Sequence, residues 1–247
     1  MRVCASVAVF WLALCGSAIA QTNTAQVPRL GDDAQARAIQ DVLSEFWSDA
    51  VQVWSAYLDA RHIDTETPQI NFVPAVKASH CYGLYVSAGP VYCFGNSTVF
   101  VSLAEMVRLE ARIPALGKSG LAFLVAHELG HHVQKVTNRF RLFTALVYNN
   151  IARQNELALR LELEADCLAG VWAGLSPKVA SSGIVLGEML SALQSIGDDN
   201  IGGLKVERVP DPASFTHGSS AQRIRWFKTG FEKPSIDSCD VLGAEAF

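Results

Sequence analysis

Charged residues are scarce in this chain, and they form no basic stretch. They make up 18% of its 247 residues, and the formal net charge is −4 at pH 7. Without a basic patch, the sequence predicts neither a nucleic-acid partner nor attraction to an anionic membrane. Half of the residues are apolar, which excludes a disordered chain and predicts one sizeable hydrophobic core. Internal repeats, low-complexity tracts and linkers are also missing from residues 32–247, so we expect a single domain there.

Apolar runs long enough to cross a membrane are missing too, and the amino terminus carries a shorter one. Only one charge lies among the first twenty residues, an apolar stretch covers residues 3–14, and Ala18-Ile19-Ala20 fits a cleavage site. This pattern predicts a signal peptide over residues 1–20 and a disordered leader over 21–31. The alternative is an uncleaved membrane anchor, but the run is short for a transmembrane span. We therefore expect an exported protein, periplasmic or secreted, which associates with a membrane only if this segment is retained.

Cysteine is infrequent as well, with six in the chain, two of which lie in the predicted signal peptide. Cleavage leaves an even number, which in an exported chain suggests two disulfides. Three connectivities are possible among the four that remain. Pairing Cys81 with Cys93 is the local choice, and pairing of Cys167 with Cys239 then follows. The alternative for Cys167 is a buried free thiol on an apolar helix face.

What the sequence does contain is an H-E-x-x-H motif, His127-Glu128-Leu129-Gly130-His131, directly after the apolar run 121–126. On a helix the two histidines lie one turn apart on the same face, so both imidazoles can reach one cation. Glu128 can reach a water on that cation without being a ligand, which is the arrangement for zinc-dependent hydrolysis with Glu128 as general base. The alternative is a helix with surface histidines, and the apolar run argues against it because it predicts a buried helix.

A third metal ligand is expected from the stretch Glu162-Leu163-Glu164-Ala165-Asp166, because a catalytic zinc usually has three protein ligands and one open position. Glu162 and Asp166 are four residues apart and share a helical face, whereas Glu164 lies about two hundred degrees from Glu162. We therefore predict Glu162 as the ligand and Asp166 as the acceptor of a hydrogen bond that orients a ligand histidine. Glu164 and Arg160 are expected on a solvated face.

Periodicity and turn signals predict an α+β fold that is mostly helical and has a small antiparallel sheet. A helix with one apolar face is expected from Asp32 or Asp33 to about Ala60. Ser119 is predicted to cap the helix that carries the histidines, which continues to about Asn138. The other predicted elements are strands within 67–76, 91–94 and 98–103, a short helix over 105–111, helical stretches over 140–173 and 179–196 with a break near Asn149-Asn150 in the first, and a last helix from Ser219 or Ser220 to Phe227.

Further motifs accompany the H-E-x-x-H helix along the chain. They are Gly89-Pro90-Val91-Tyr92-Cys93 before it and, after it, Leu161 to Trp172, Ile196-Gly197-Asp198-Asp199, Phe215 to Arg223 and Arg225-Trp226-Phe227. With these motifs in order, the chain resembles the bacterial neutral zinc metallopeptidases over about residues 35–235. The resemblance implies a zincin-like fold and zinc peptidase chemistry. It also leaves localisation to be tested, because many of these relatives resemble membrane-anchored proteins at the amino terminus.

A more distant similarity bears on the roles of single residues. Glu162-x-x-Ala165-Asp166 resembles the E-x-x-A-D of the zincins that include the CAAX-processing membrane protease, which implies Glu162 as ligand and Asp166 as support for a histidine. That group carries a later histidine followed six positions on by an arginine, a spacing that His217 and Arg223 share. The similarity implies that His217 donates a hydrogen bond to the oxyanion of a tetrahedral intermediate, and that Arg223 stabilises the same site or pairs with Asp166. A capping or core histidine is the alternative for His217.

The sequence thus predicts peptide-bond hydrolysis outside the cytoplasm, with Zn²⁺ as cofactor and a peptide or protein as substrate. The strand 98–103 is the predicted element for holding the substrate backbone by strand addition. Two other classes remain open: an export-side module with a structural zinc, and an envelope adaptor or chaperone that binds peptides without cutting them. A structural site would normally be closed by a fourth protein ligand, and the sequence offers no good one.

Overall fold

The structure is a computed structural model, and it describes residues 34–81, 89–200 and 211–245. The predicted signal peptide over 1–20 and the predicted leader over 21–31 lie outside these residues, as does the predicted capping by Asp32 or Asp33. Within the described ranges, no helix combines the length and the apolar character that crossing a bilayer requires.

Helices make up most of the described chain, as predicted. The first one follows the predicted apolar face, because Ile39, Leu43, Phe46 and Ala50 are all buried. The predicted break near Asn149-Asn150 is also present. The helices within the described residues are α1 (Ala34–Asp59), α2 (Leu103–Arg112), α3 (Gly117–Val136), α4 (Arg139–Asn149), α5 (Gln154–Leu175), α6 (Pro177–Ser181), α7 (Leu186–Ile196) and α8 (Ser220–Glu232).

Three helix predictions need correction. The last helix, predicted to end at Phe227, continues to Glu232. The predicted helix over 179–196 is divided into α6 and α7 by a turn at Ser182 and Gly183. Ser119 does not cap α3, because this helix begins two residues earlier and Leu116 occupies the capping position. Instead, the Ser119 hydroxyl donates a hydrogen bond to Glu188 at 2.6 Å and so connects α3 to α7.

The sheet has three strands, β1 (Gln69–Val73), β2 (Val91–Cys93) and β3 (Thr98–Ser102), in the order β1-β3-β2. The predicted antiparallel hairpin of β2 and β3 is present, but β1 pairs in parallel with β3, so the sheet is mixed. The prediction of an antiparallel sheet was wrong for β1, because the chain between Val73 and Thr98, which includes β2, is long enough for the crossover that parallel pairing of β1 with β3 requires.

The prediction that β3 holds the substrate by strand addition is wrong as well. This strand lies in the centre of the sheet and is paired on both sides, so its backbone has no free edge for another strand. In the part of the chain that the structure describes, β2 pairs with β3 alone and so has an open edge, and it contacts α3.

The two helices that carry the predicted site lie at the centre of the fold. All residues of α3 from Ser119 to Gln134, except Leu124, are buried. Where α3 meets α5, the backbones touch: a Cβ atom added to Gly130 would lie 2.9 Å from the carbonyl oxygen of Ala165. This close approach requires glycine at position 130, and it brings the side chains on either side of the contact within reach of one another.

The structure contains the two disulfides Cys81–Cys93 and Cys167–Cys239, the pairing that the sequence favoured. The first joins β2 to the 3₁₀ turn Ala78–Cys81, which lies outside the sheet. The second joins α5 to a short 3₁₀ turn, Ile236–Cys239, over a sequence separation of 72 residues. Because Cys167 follows Asp166 directly, this disulfide ties the carboxyl-terminal segment to the helix that carries the predicted ligand.

Peptide mass mapping without reduction should therefore find both linkages. Replacing Cys167 and Cys239 together by alanine should lower the free energy of unfolding by about 2–5 kcal/mol, because the unfolded chain regains the freedom of a long loop. The paired change at Cys81 and Cys93, which closes a separation of only 12 residues, should cost less. Denaturant titration measures both effects. Free thiols at all four positions would contradict the pairing and the argument for export.

Candidate metal centre

His127 and His131 project from α3 toward α5, where Glu162 lies opposite them. The Oε2 atom of Glu162 is 3.2 Å from Nε2 of His127 and 3.6 Å from Nε2 of His131. The ligand atoms of the three residues all lie within 4.8 Å of one another. Among the described residues, this is the group of at least three potential ligands that is close enough to hold one metal ion.

The spacing fits a tetrahedral zinc site. Two nitrogen or oxygen ligands that bind one zinc ion at about 2.0–2.1 Å in tetrahedral geometry are about 3.3 Å apart. The observed separations from Glu162 to His127 and to His131 lie close to this value. Two imidazoles and one carboxylate are also a donor set that catalytic zinc uses.

Both histidines present Nε2 to the centre because their Nδ1 atoms are occupied. His127 Nδ1 donates a hydrogen bond to Oδ1 of Asp166 at 2.8 Å. His131 Nδ1 donates to Oε1 of Gln134, also at 2.8 Å, and the Gln134 amide in turn donates to the carbonyl of Leu161 at 2.7 Å. Such acceptors fix the tautomer and orientation of a metal-binding histidine. The predicted contact of Asp166 is thus present in the geometry, whereas the role of Gln134 was not predicted.

Arg223 from α8 completes this arrangement by pairing with Asp166. Its Nε and a terminal nitrogen each donate to the Asp166 carboxylate at 2.9 Å, and both side chains are buried. A bidentate guanidinium restricts a carboxylate in both position and rotation. Of the two options that the sequence left open for Arg223, the structure shows the contact with Asp166.

The electrostatics of the centre favour a positive charge among these ligands. Burial opposes the protonation of His127, but hydrogen bonds to Asp166 and Glu162 raise its pKa to about 10. Burial also opposes the ionisation of Glu162, but His131 and His127 hold its pKa well below the ordinary value. Arg223 already balances Asp166, so the partly buried Glu162 is the carboxylate that favours a further positive charge beside it. Protonated imidazoles can provide that charge, and a divalent cation would provide it in their place.

Glu128 stands beside the three potential ligands but is oriented by a different element. Its Oε2 accepts a hydrogen bond from the backbone N–H of Tyr92 in β2 at 2.6 Å. Burial raises the pKa of Glu128, which makes its carboxylate a better proton acceptor. The Tyr92 hydroxyl lies 2.9 Å from Nδ1 of His132, so this third histidine of α3 holds the edge strand and does not face the centre.

His217 lies at the mouth of the site. Its Nε2 is 3.7 Å from Oε2 of Glu162, and its side chain is 43% exposed. The adjoining cleft has a volume of about 470 Å³. Besides the residues above, its lining includes Pro90, Val91, Phe94 and Thr216. The structure therefore brings together every residue that the sequence proposed for ligands and catalysis, at one end of an open cleft.

Glu164 and Arg160 correct the sequence analysis, because neither lies on a solvated face. Glu164 is 2% exposed and receives two hydrogen bonds of 2.9 Å from Arg139. Arg160 is also buried, and it donates to the carbonyls of Val241 and Ala244. The first turn of α4 and the carboxyl-terminal segment cover the face of α5 that was expected to be exposed.

Comparison with known proteins agrees with this geometry. A family model described as "Putative neutral zinc metallopeptidase" matches residues 7–242. "Uncharacterized protein YpfJ" of Escherichia coli (strain K12) is 33% identical over 195 residues, which cover 77% of this chain and 67% of that protein. "Uncharacterized protein Rv2575" of Mycobacterium tuberculosis (strain ATCC 25618 / H37Rv) is 32% identical over 192 residues, which cover 72% of this chain and 63% of that protein. The chain thus spans about two thirds of the length of these relatives. No solved structure matches the chain.

Proposed function

The chain belongs to the neutral zinc metallopeptidase family, and from this premise we propose that it hydrolyses peptide bonds outside the cytoplasm with one zinc ion. The observation that carries the proposal is the convergence of His127, His131 and Glu162 at zinc-ligand spacing, with Glu128 beside them on an open cleft. The test is hydrolysis of an unfolded protein substrate by the purified chain, measured together with its zinc content.

In the proposed reaction His127, His131 and Glu162 hold the metal. A bound zinc ion would polarise the scissile carbonyl and acidify a water molecule. Glu128 accepts the proton of the attacking water and passes it to the leaving amine, and the N–H of Tyr92 keeps its carboxylate in place for both transfers. His217 donates a hydrogen bond to the oxyanion as negative charge develops there.

The open edge of β2 is the proposed element for aligning the substrate backbone. Val91 and Tyr92 line the cleft next to Glu128, and among the described residues β3 is the one strand that pairs with β2. An extended peptide could add to such an edge through main-chain groups other than the N–H of Tyr92, which donates to Glu128. This replaces the assignment of that role to β3.

The alternative of a non-catalytic peptide-binding adaptor or chaperone with a structural zinc is less well supported. In the part of the chain that the structure describes, no fourth histidine, cysteine or carboxylate joins the three potential ligands. All four cysteines of residues 34–245 are in disulfides. Structural zinc sites are usually closed by four protein ligands, whereas catalytic sites keep one position open.

Export is proposed from the two disulfides together with the amino-terminal sequence. Disulfides persist in oxidising compartments and are rare in the cytosol of most organisms. We propose a periplasmic or secreted location, with membrane anchoring as the alternative if residues 1–20 are retained. Fractionation of cells and determination of the amino terminus of the exported form would distinguish the two.

Replacing His217 by alanine should lower kcat and change KM little, because the proposed hydrogen bond forms only in the transition state. One such donor usually supplies about 2–4 kcal/mol of transition-state stabilisation. Zinc content and melting temperature should stay nearly unchanged, since His217 is partly exposed and lies outside the ligand group. Loss of zinc would instead indicate that His217 is a metal ligand. A native rate of hydrolysis would indicate that its loop contributes only to packing.

A further inference from the structure

The carboxylate of Asp198, in the turn after α7, holds the loop that carries His217. Its Oδ2 accepts hydrogen bonds from the backbone N–H groups of Thr216, His217 and Gly218, at 2.7, 2.7 and 2.9 Å. The N–H of Asp198 donates in return to the carbonyl of Gly218 at 2.9 Å. Hydrogen bonds to an ionised acceptor are stronger than those between neutral groups. Together these bonds fix the backbone on both sides of His217.

The same loop is pressed against the helix that carries the proposed ligand. Gly218 has a φ of 100°, a conformation that favours glycine. A Cβ atom at this position would lie 2.9 Å from the Leu163 side chain, which follows Glu162 on α5. There is therefore no room for a side chain between this loop and α5, and the bonds to Asp198 hold the loop on its other side.

The ring of His217 is oriented by its neighbour Thr216. The Thr216 hydroxyl lies 2.8 Å from Nδ1 of His217. The same hydroxyl lies 3.5 Å from Oδ1 of Asp198. Asp198 thus sets the position of the backbone, and Thr216 contacts the ring at Nδ1, which leaves Nε2 at 3.7 Å from Glu162.

We propose that Asp198 is a positioning residue for the peptidase reaction, acting through His217. Its carboxylate is fully engaged with the loop and touches none of the potential metal ligands in the contacts described above, so it has no direct part in the chemistry. A displacement of about 1 Å in a catalytic group can cost a hundredfold in rate, and Asp198 prevents such a displacement. This inference rests on the proposed function, because it assigns a means of placing the oxyanion donor.

Asp199 offers a matched control, since it is the adjacent acid in the same turn. Its carboxylate accepts hydrogen bonds from the N–H and the hydroxyl of Ser220, at 2.6 and 2.7 Å. It therefore holds the start of α8 and has no hydrogen bond to residues 216–218 among those of the described chain. Removing it should weaken α8 without releasing His217.

The experiment compares Asp198→Ala, Asp198→Asn and Asp199→Ala in the zinc-loaded protein. Asp198→Ala should lower kcat about ten- to hundredfold, leave KM within about twofold and keep one zinc per chain. Asp198→Asn retains one acceptor oxygen and should lose less. The double variant Asp198→Ala/His217→Ala should cut no more slowly than His217→Ala alone, because the first change acts only through the second residue. Asp199→Ala should lower the melting temperature and leave kcat within about threefold.

Hydrogen exchange gives a readout that does not depend on hydrolysis. The amides of residues 216–218 should lose protection in Asp198→Ala and keep it in Asp199→Ala. If those amides are released while kcat stays native, the positioning role is overturned. It is equally overturned if the losses from Asp198→Ala and His217→Ala multiply in the double variant. Should Asp198→Ala fail to fold, Asp198→Asn decides by the same criteria. A native protein that holds zinc but cuts no peptide would instead refute the proposed function itself.

Discussion

Replacing Glu128 by glutamine should leave one zinc per chain and lower kcat by about a hundredfold or more. The amide has the size of the carboxylate and its oxygen can still accept the hydrogen bond from Tyr92, so the side chain should keep its place. What is lost is the ability to take a proton from the attacking water. Steady-state kinetics on an unfolded protein substrate, with zinc content measured on the same samples, checks this prediction.

The stability of this variant provides an internal control. Burial raises the pKa of Glu128 because the ionised carboxylate is poorly solvated at its position. A neutral amide avoids the free-energy cost of burying a charge, so the melting temperature of Glu128→Gln should match or exceed that of the native protein. A slow variant that is also unstable would point to disrupted structure, and native rates in this variant would refute the role of Glu128 as general base.

Replacing Glu162 by alanine should remove most of the bound zinc and, with it, the activity. This side chain is one of the three proposed ligands, and loss of an outer hydrogen-bond partner alone typically weakens metal affinity about ten- to a hundredfold. Loss of a direct ligand should weaken it at least as much. Metal analysis after equilibration with a zinc buffer of known free concentration gives the change in Kd.

Glu164→Ala is the matched control for this experiment. Glu164 lies on the same helix and is buried, but it pairs with Arg139, which also binds Asp240, and it is not part of the metal ligand group. Its removal leaves Arg139 without its buried partner, so the melting temperature should fall while about one zinc per chain remains. If both variants kept equal amounts of zinc, Glu162 could not be a ligand.

The ligand group of the site follows from short-range spacing, and this is why the sequence predicted it. His127 and His131 are one helical turn apart, and the phase of Glu162 and Asp166 on α5 separated them from Glu164. The bond from His127 to Asp166 and the pairing of the cysteines are likewise present in the structure. The helical phases are relations within single helices, and the two disulfides were expected from the even number of cysteines and the local choice of Cys81 with Cys93. The bond from His127 to Asp166 joins α3 to α5, and it was expected because a metal-binding histidine usually donates its other ring N–H to an acceptor.

The contacts that position the site could not be predicted in this way, because they join elements through tertiary structure. Tyr92 reaches Glu128 with a backbone N–H, and Asp198 accepts from three backbone N–H groups of a loop eighteen to twenty residues later. Every residue except proline has a backbone N–H, so the residue type does not show which one donates such a bond. The burial of Glu164 and the parallel pairing of β1 depend in the same way on how α4 and the crossover fold back, which periodicity does not report.

Because α3 and α5 touch at Gly130, binding of a metal ion between them is thermodynamically linked to the packing of these two helices. Two of the proposed ligands lie on α3 and the third on α5, so a bound ion would act as a cross-link between two helices that already touch. Its binding free energy then adds to the stability of the folded state, by about 2.7 kcal/mol when free zinc is a hundred times Kd. With the export proposed above, the free zinc concentration of the outer compartment would thus help to determine how much of the protein stays folded and how long it resists proteolysis.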